Sequence, residues 1–295
     1  MDASVVIPTY NRKRVLKDSL LSLFNQDYPK GRYEIVIVDD GSSDNTDKLI
    51  KSLSPPCFLK YLRHPQREGP SKARNYGIRE ANGEIIIFID SDIICPPGFV
   101  SAHMRYHKKY RNIVVDGPAV YINNLDGNHR FQRFLARFDF FGGSFITANT
   151  SCKKEVLIKA GGFSEDFGLR FGWEDREFGF RIKQMGIKRK KARSAYAFHY
   201  QEKRDLQASI QKGIDQGINA VLYYKKHPNL RVKIETRFHY LLLDRLINVG
   251  NWLEKDIPKR LISSKILQVL LRRPFLIHAY AKGLREGIRR YYDRG

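Results

Sequence analysis

The chain has 295 residues, 42% of them hydrophobic and 28% charged, which fits one large domain or a domain with an appendage and excludes a disordered polymer. Its net charge of +22 is lopsided: residues 1–180 carry 26 basic and 22 acidic side chains, whereas residues 181–295 carry 27 and 9. Cys57, Cys95 and Cys152 are the only cysteines and form no Cys-x-x-Cys pair, which excludes a zinc-finger or disulfide framework and fits a reducing compartment.

Residues 4–7 form a short β-branched run, followed by Leu16, Leu20, Leu23 and Phe24 at helical spacing. Residues 34–38 read as a buried strand and 44–53 as a helix, with Asp44 as its cap. The alternation continues with a strand at 58–63, a helix at 71–81, a strand at 84–90, a helix at 97–110 and a strand from 113. Strands alternating with helices predict an α/β fold with a mostly parallel sheet, and continuous apolar runs predict that both its faces are covered. Residues 1–122 are therefore read as one α/β half and 123–204 as a second, less regular half with Gly142-Gly143, Gly161-Gly162 and a carboxylate cluster. Residues 205–295 read as a basic helical extension divided at Pro228, Pro258 and Pro274. Its apolar stripes are Leu241, Leu242, Leu246 and Val249, and Ile262, Ile266, Val269 and Leu270. No basic segment leads into an apolar one at the N-terminus, and no run of 18 apolar residues occurs, so neither a secretory signal nor a membrane-spanning helix is expected.

In open α/β sheets, ligands sit beyond the carboxyl ends of the strands. Those ends carry Pro8-Thr9-Tyr10-Asn11-Arg12, Asp39-Asp40-Gly41-Ser42 and Asp90-Ser91-Asp92. Carboxylates gathered at one edge repel each other unless a cation joins them. Asp44 is explained by capping alone. Asp90 and Asp92 follow a wholly apolar strand, and their hard oxygens suit Mg2+ or Mn2+. The first strand–helix turn has no glycine-rich phosphate cradle, so a bound diphosphate needs other neutralisers, such as a metal and Arg74. Further along, Trp173 beside Glu174 and Asp175 fits an aromatic sugar platform with a proton acceptor next to it. Glu177 is expected to pair with Arg181 one turn on. His199 alone is more often a structural histidine.

These pieces occur together in the order of a known family. The segments Val6-Ile7-Pro8-Thr9-Tyr10-Asn11-Arg12, Val38-Asp39-Asp40-Gly41-Ser42-Ser43-Asp44, Ala73-Arg74-Asn75-Tyr76-Gly77, Asp90-Ser91-Asp92, Gly161-Gly162-Phe163 and Gly172-Trp173-Glu174-Asp175 resemble the family 2 glycosyltransferases of the GT-A fold. The resemblance covers roughly the first 200 residues. It implies a metal-dependent, inverting transfer of a sugar from a nucleotide diphosphate donor, UDP by family frequency, to a hydroxyl of a glycan or lipid-linked acceptor. It assigns Pro8, Thr9, Tyr10, Arg12 and Asp39 to the nucleotide side, with Asp40 and Arg74 near the ribose and diphosphate. Asp90, Ser91 and Asp92 match the DXD motif for metal and donor, and His199 falls where some members place a further metal ligand. Asp175 matches the catalytic base, and Glu174 and Trp173 would meet sugar or acceptor.

Rival readings are a nucleotidyltransferase, whose first loop would usually be glycine-rich, and a non-catalytic nucleotide-sugar-binding protein. The basic C-terminal helices fit docking on an anionic membrane, which would place the chain on the inner, cytoplasmic face. They equally fit packing on the core or on a second subunit. Nucleic-acid binding is disfavoured, because basicity without a recognisable module is unspecific.

Overall fold

The computed structural model describes residues 1–125, 145–201, 206–249, 253 and 265–293. Gly142-Gly143, Pro258 and Ile262 lie outside the described residues, as do the side chains of Ile266, Val269 and Leu270. The chain divides into two compact units, Met1–Leu169 with Asp175–Glu202, and Arg170–Glu174 with Lys203–Gly295.

The first unit is built on a seven-stranded sheet. Its strands are β1 (Ala3–Thr9), β2 (Tyr33–Asp39), β3 (Phe58–Arg63), β4 (Ile85–Phe88), β6 (Ile113–Asp116), β8 (Thr150–Lys153) and β9 (Lys188–Lys191). They lie in the order β3-β2-β1-β4-β8-β6-β9. All neighbours are parallel except β8, which runs antiparallel to both β4 and β6. A second, three-stranded sheet joins β5 (Ile93–Ile94), β10 (Ala197–Tyr200) and β7 (Ala119–Ile122), with β10 central. Among the described residues, its helices are α1 (Lys13–Phe24), α2 (Thr46–Lys51), α3 (Pro70–Glu80), α4 (Phe99–Lys109), α5 (Lys154–Lys159) and α6 (Glu174–Gln184), the last from Asp175 on.

The pleat sorts the apolar runs into two cores, as burial on both sheet faces requires. Val5, Ile7, Ile35, Ile37 and Ile87 pack with Leu16, Leu20 and Phe99 of α1 and α4. Val6, Val36, Val38, Ile86 and Phe88 pack with Ile78, Leu157, Phe163 and Phe178. Each such aliphatic contributes roughly 1.5–3 kcal/mol on burial. The second helix is shorter than the expected 44–53, because Asp44 stands outside it. One Asp44 oxygen accepts from Thr46 N (3.2 Å) and Thr46 Oγ1 (2.6 Å), and the other from Lys13 N (2.8 Å) at the start of α1. One carboxylate therefore serves two helix starts.

The second unit comprises α7 (Leu206–Lys226), α8 (Leu230–Glu235), α9 (Tyr240–Ile247) and α10 (Lys265–Tyr291), together with the segment Arg170–Glu174. Pro228 separates α7 from α8 as expected. Pro274 does not divide helices but lies inside α10. A mid-helix proline costs about 3 kcal/mol, which the close packing of α10 on α7 offsets. A Cβ on Gly217 would lie 2.3 Å from Tyr280 O, and one on Gly283 would lie 2.1 Å from Ile214 O, so the two backbones approach as only glycine permits. Asp244 of α9, 2% exposed, accepts from His278 Nδ1 and Arg285 Nη1 of α10, both at 2.8 Å.

Candidate active site

The tip of β4 and the short β5 carry the chemistry. After Phe88 the chain runs through Ile89 to Asp90, Ser91 and Asp92, and β5 then pairs antiparallel with β10, setting His199 opposite Ile93. Tyr200 N donates to Asp92 O (2.9 Å), which locks that register. The ladder brings His199 Nε2 to 3.2 Å from Asp92 Oδ1. Asp90, Asp92 and His199 each offer one ligand atom, all within 4.8 Å of one another. Two carboxylate oxygens and one imidazole nitrogen make a donor set suited to a divalent ion.

Two arginines reach the same carboxylates. Arg12 Nη1 donates to Asp92 Oδ2 at 2.6 Å, and Arg74 Nη2 to Asp90 Oδ1 at 3.1 Å. Burial opposes charge on both Asp92 and His199. Their mutual hydrogen bond and attraction reverse this, holding the Asp92 carboxyl below its ordinary value and the His199 imidazole above its own; Arg12 adds to the first effect. Arg74 is 5% exposed, with its guanidinium 5.6 Å from the Phe163 ring centroid. Asn75, next in sequence, accepts from Phe163 N (2.8 Å) and donates to Phe163 O (2.9 Å). The Ala73-Arg74-Asn75 and Gly161-Gly162-Phe163 motifs are thus one construction in which Phe163 backs the arginine. Sequence reasoning quoted both motifs without seeing this link.

The nucleotide-side residues separate into two groups. Thr9 is buried at the tip of β1 with no partner for its hydroxyl among the described residues, and Tyr10 is 36% exposed with the Arg67 guanidinium 4.4 Å above its ring. Pro8 lies within β1, and Arg67 is a neighbour that sequence reasoning missed. Asp39 accepts from Ser42 N (2.8 Å) and Tyr61 OH (2.5 Å). Asp40 accepts from Glu68 N (2.9 Å) and Gly69 N (2.8 Å), with His64 Nδ1 at 2.8 Å. Asp40 therefore organises residues 64–69, the approach to α3. Gly41, at φ +82, lets that loop come close: a Cβ there would meet Gln66 C at 2.7 Å.

Asp175 lies in the first turn of α6, in the same unit as the Asp90–Asp92–His199 cluster, where the helix dipole favours a carboxylate. Arg176 N donates to its Oδ1 at 2.7 Å. Glu177 pairs with Arg181 as expected, Arg181 Nε donating at 2.8 Å. Glu174 and Trp173 belong to the second unit. Glu174 is buried. Trp173 has φ +76, a rare conformation for a bulky residue, and follows Gly172 at φ +93. Helix α7 holds this turn: Trp173 Nε1 donates to Gln216 O (2.9 Å), and Asn219 Nδ2 donates to Gly172 O (3.0 Å). The indole packs near Tyr223, ring centroids 5.8 Å apart.

The sequence profile described as "Glycosyl transferase family 2" matches residues 4–167, over half of the chain, including β1, the DXD segment and the Gly161-Gly162-Phe163 loop. The chain belongs to that family. Among its relatives, the uncharacterized glycosyltransferase YfnE of Bacillus subtilis is 28% identical over 68% of this chain and 64% of its own length. Chondroitin synthase of Escherichia coli is 26% identical over 76% of this chain and 38% of its own length. The chain thus spans less than two thirds of either relative. Among solved structures, the mannosyltransferase PcManGT of Pyrobaculum calidifontis, in complex with GDP-Man and Mn2+, superposes with a TM-score of 0.66 at 18% identity, covering 99% of this chain and 88% of that one. Residues 1–349 of TarS from S. aureus, in complex with UDP-GlcNAc, give 0.60 at 18% identity, covering 100% and 93%. At such identities the likeness establishes the fold, the GT-A arrangement of a mostly parallel sheet flanked by helices.

Proposed function

We propose that the chain is a metal-dependent, inverting glycosyltransferase moving a sugar from a nucleotide diphosphate donor to a hydroxyl acceptor. The carrying observation is the cluster of Asp90, Asp92 and His199 at the carboxyl edge of the sheet, flanked by Arg12 and Arg74. A divalent ion would be held by those three side chains and would supply Lewis acidity to the departing diphosphate. Arg12 and Arg74 contribute positive charge at the same place. Thr9, Tyr10 and Asp39 would hold the base, and Asp40 would keep the loop before α3 in shape. Residues 1–122 supply the donor half, and 123–204 the acceptor and catalytic half.

Asp175 accepts the proton of the acceptor hydroxyl. The acceptor oxygen attacks the anomeric carbon from the face opposite the diphosphate, the bond from that carbon to the phosphate oxygen breaks, and the nucleoside diphosphate leaves with the bonding pair. Glu174 and Trp173, next to Asp175 in sequence, would contribute to acceptor binding. TarS in complex with UDP-GlcNAc supports a uridine donor, and PcManGT with GDP-Man and Mn2+ supports the metal. The acceptor is read as a hydroxyl of a growing glycan or of a lipid-linked carrier, as the name chondroitin synthase suggests for one relative.

The test is a screen of sugar nucleotides with Mn2+, Mg2+ or chelator, followed by Asp175→Asn with the preferred donor. The variant should bind donor as wild type does and lose transfer by about a thousandfold, within the range associated with removing a general base. Near-wild-type turnover would remove Asp175 from the role. Turnover untouched by chelation would overturn the metal site, and binding without turnover across the screen would favour the non-catalytic reading.

A further inference from the structure

The second unit exposes what a helical bundle ordinarily hides. Sequence reasoning allowed the stripe along α9 to pack on a core. Leu241 does so, packed against Ala220, Val221, Tyr280 and Leu284, but Leu242 and Leu246 of α9 and Val249 just beyond it, at spacing i, i+4, i+7, are 65%, 72% and 74% exposed. The face that α9 turns inward carries Asp244, tied to His278 and Arg285 of α10. The preceding helix repeats the pattern: Leu230 and Ile234 of α8, one turn apart, are 73% and 63% exposed, while Val232 between them is fully buried. Two consecutive helices thus hold an apolar row outward.

The charges beside these rows have one sign. Arg231, Lys233, Arg237 and Arg245 are all exposed, and residues 228–249 contain no exposed carboxylate, since Glu235 is half-buried and Asp244 fully buried. Isolated exposed aliphatics are common on protein surfaces, but five within twenty residues, beside charges of one sign, are not. Arg285 of α10 is paired with Asp244.

We infer that α8 and α9 form a monotopic docking surface for an anionic lipid bilayer, with Leu230, Ile234, Leu242, Leu246 and Val249 entering the acyl boundary and the four cations meeting lipid phosphates. Outward aliphatic rows flanked by lysine and arginine are the composition of interfacial helices. A second copy of the chain fits less well. Protein interfaces are depleted of charge at their centre, and a two-fold contact here would bring like cations together. No helix among the described residues is long and apolar enough to cross a membrane, so the surface would lie on the bilayer. This inference stands on the second unit alone and is independent of the reaction proposed for the first.

The experiment is flotation of the purified full chain with phosphatidylcholine vesicles, with and without phosphatidylglycerol. Wild type should float only with the anionic vesicles and be released by high salt. The double variants Leu242→Gln/Leu246→Gln and Arg231→Gln/Arg245→Gln alter exposed side chains, so they should keep the wild-type melting temperature while bound protein falls roughly tenfold or more. Because Cys57, Cys95 and Cys152 are buried, a polarity-sensitive dye on Leu246→Cys labels selectively, and its emission should shift to the blue only with anionic vesicles. Any of four results overturns the inference: no flotation of wild type, equal flotation on neutral vesicles, variants that float as wild type does, or a vesicle-free dimer that the leucine variant dissociates.

Discussion

Two histidines of α4 should make the first unit sensitive to mild acid. His103 is fully buried, and its Nε2–H donates to Asn149 Oδ1 (2.9 Å), because Asn149 Nδ2 already donates to Pro118 O and Ala195 O. A neutral His103 then accepts from the Ser151 hydroxyl at Nδ1 (2.8 Å), and Ser151 Oγ accepts from His107 Nε2 (2.8 Å). The protons from His107 Nε2 to Asn149 Oδ1 are all allotted, so a proton added at His103 Nδ1 must break its bond with Ser151, whereas at His107 burial and the nearby Lys153 oppose the charge. Burial pushes the His103 imidazole down to about 3 and the His107 imidazole down to about 4. In the unfolded chain both titrate near about 6.5, so below that value only the unfolded state takes up these protons. Stability is therefore full above about pH 6.5 and falls with pH until the native values are reached. Over about two pH units His103 alone costs about 2.7 kcal/mol. His107 keeps part of its ring in solvent and counts for about half of that, giving about 4 kcal/mol together, a large share of the roughly 5–15 kcal/mol that holds a domain together. Denaturant unfolding of wild type and of His103→Gln/His107→Gln at about pH 7.5 and about pH 4.5 measures it. The variant is expected to start less stable but lose about 4 kcal/mol less on acidification. Equal losses in both proteins would refute the allotted-proton argument.

His199→Ala should raise the Mn2+ concentration needed for half-maximal activity by at least about tenfold and narrow the preference for Mn2+ over Mg2+, read from metal titrations. Asn75→Ala removes two hydrogen bonds to Phe163, which loosens the ring behind Arg74. It should cost about 1–3 kcal/mol of stability and weaken donor binding, followed by thermal shift with added sugar nucleotide. Gly283→Ala tests sign as well as size. Helix propensity alone would stabilise it by about 1 kcal/mol, but the new Cβ meets Ile214 O at 2.1 Å, so the melting temperature should fall. A rise would show that α7 and α10 do not approach so closely.

The strands and their tips were legible because an apolar run with no polar interruption has few alternatives to a covered sheet, and its end marks where polar groups must collect. That reasoning singled out Asp90 and Asp92, and the structure sets Arg74 beside Asp90. The place of His199 was not. It depends on the two-residue strand β5 pairing with a strand about a hundred residues later, and so short a strand leaves no periodic pattern. The anchoring of Trp173 was hidden for a related reason. Acidic neighbours suggested a sugar platform, but its indole proton goes to Gln216 on α7, over forty residues downstream. Pro274 read as a divider because local cost is visible in sequence, whereas the glycine-lined contact that outweighs it is not.

The lysine-rich strand β9 divides the basic excess of the chain. Lys188, Arg189, Lys190 and Lys191 form the outermost strand of the main sheet, and Arg189 is paired with Asp116 of β6. The open side of an outer strand is a template on which another polypeptide can stack, and a row of cations there repels a second molecule of the same kind. Part of the positive charge that seemed to belong to the helical tail therefore keeps the sheet from growing beyond its own seven strands. Neutralising β9 should make the protein prone to edge-to-edge association, with lipid affinity left as it was.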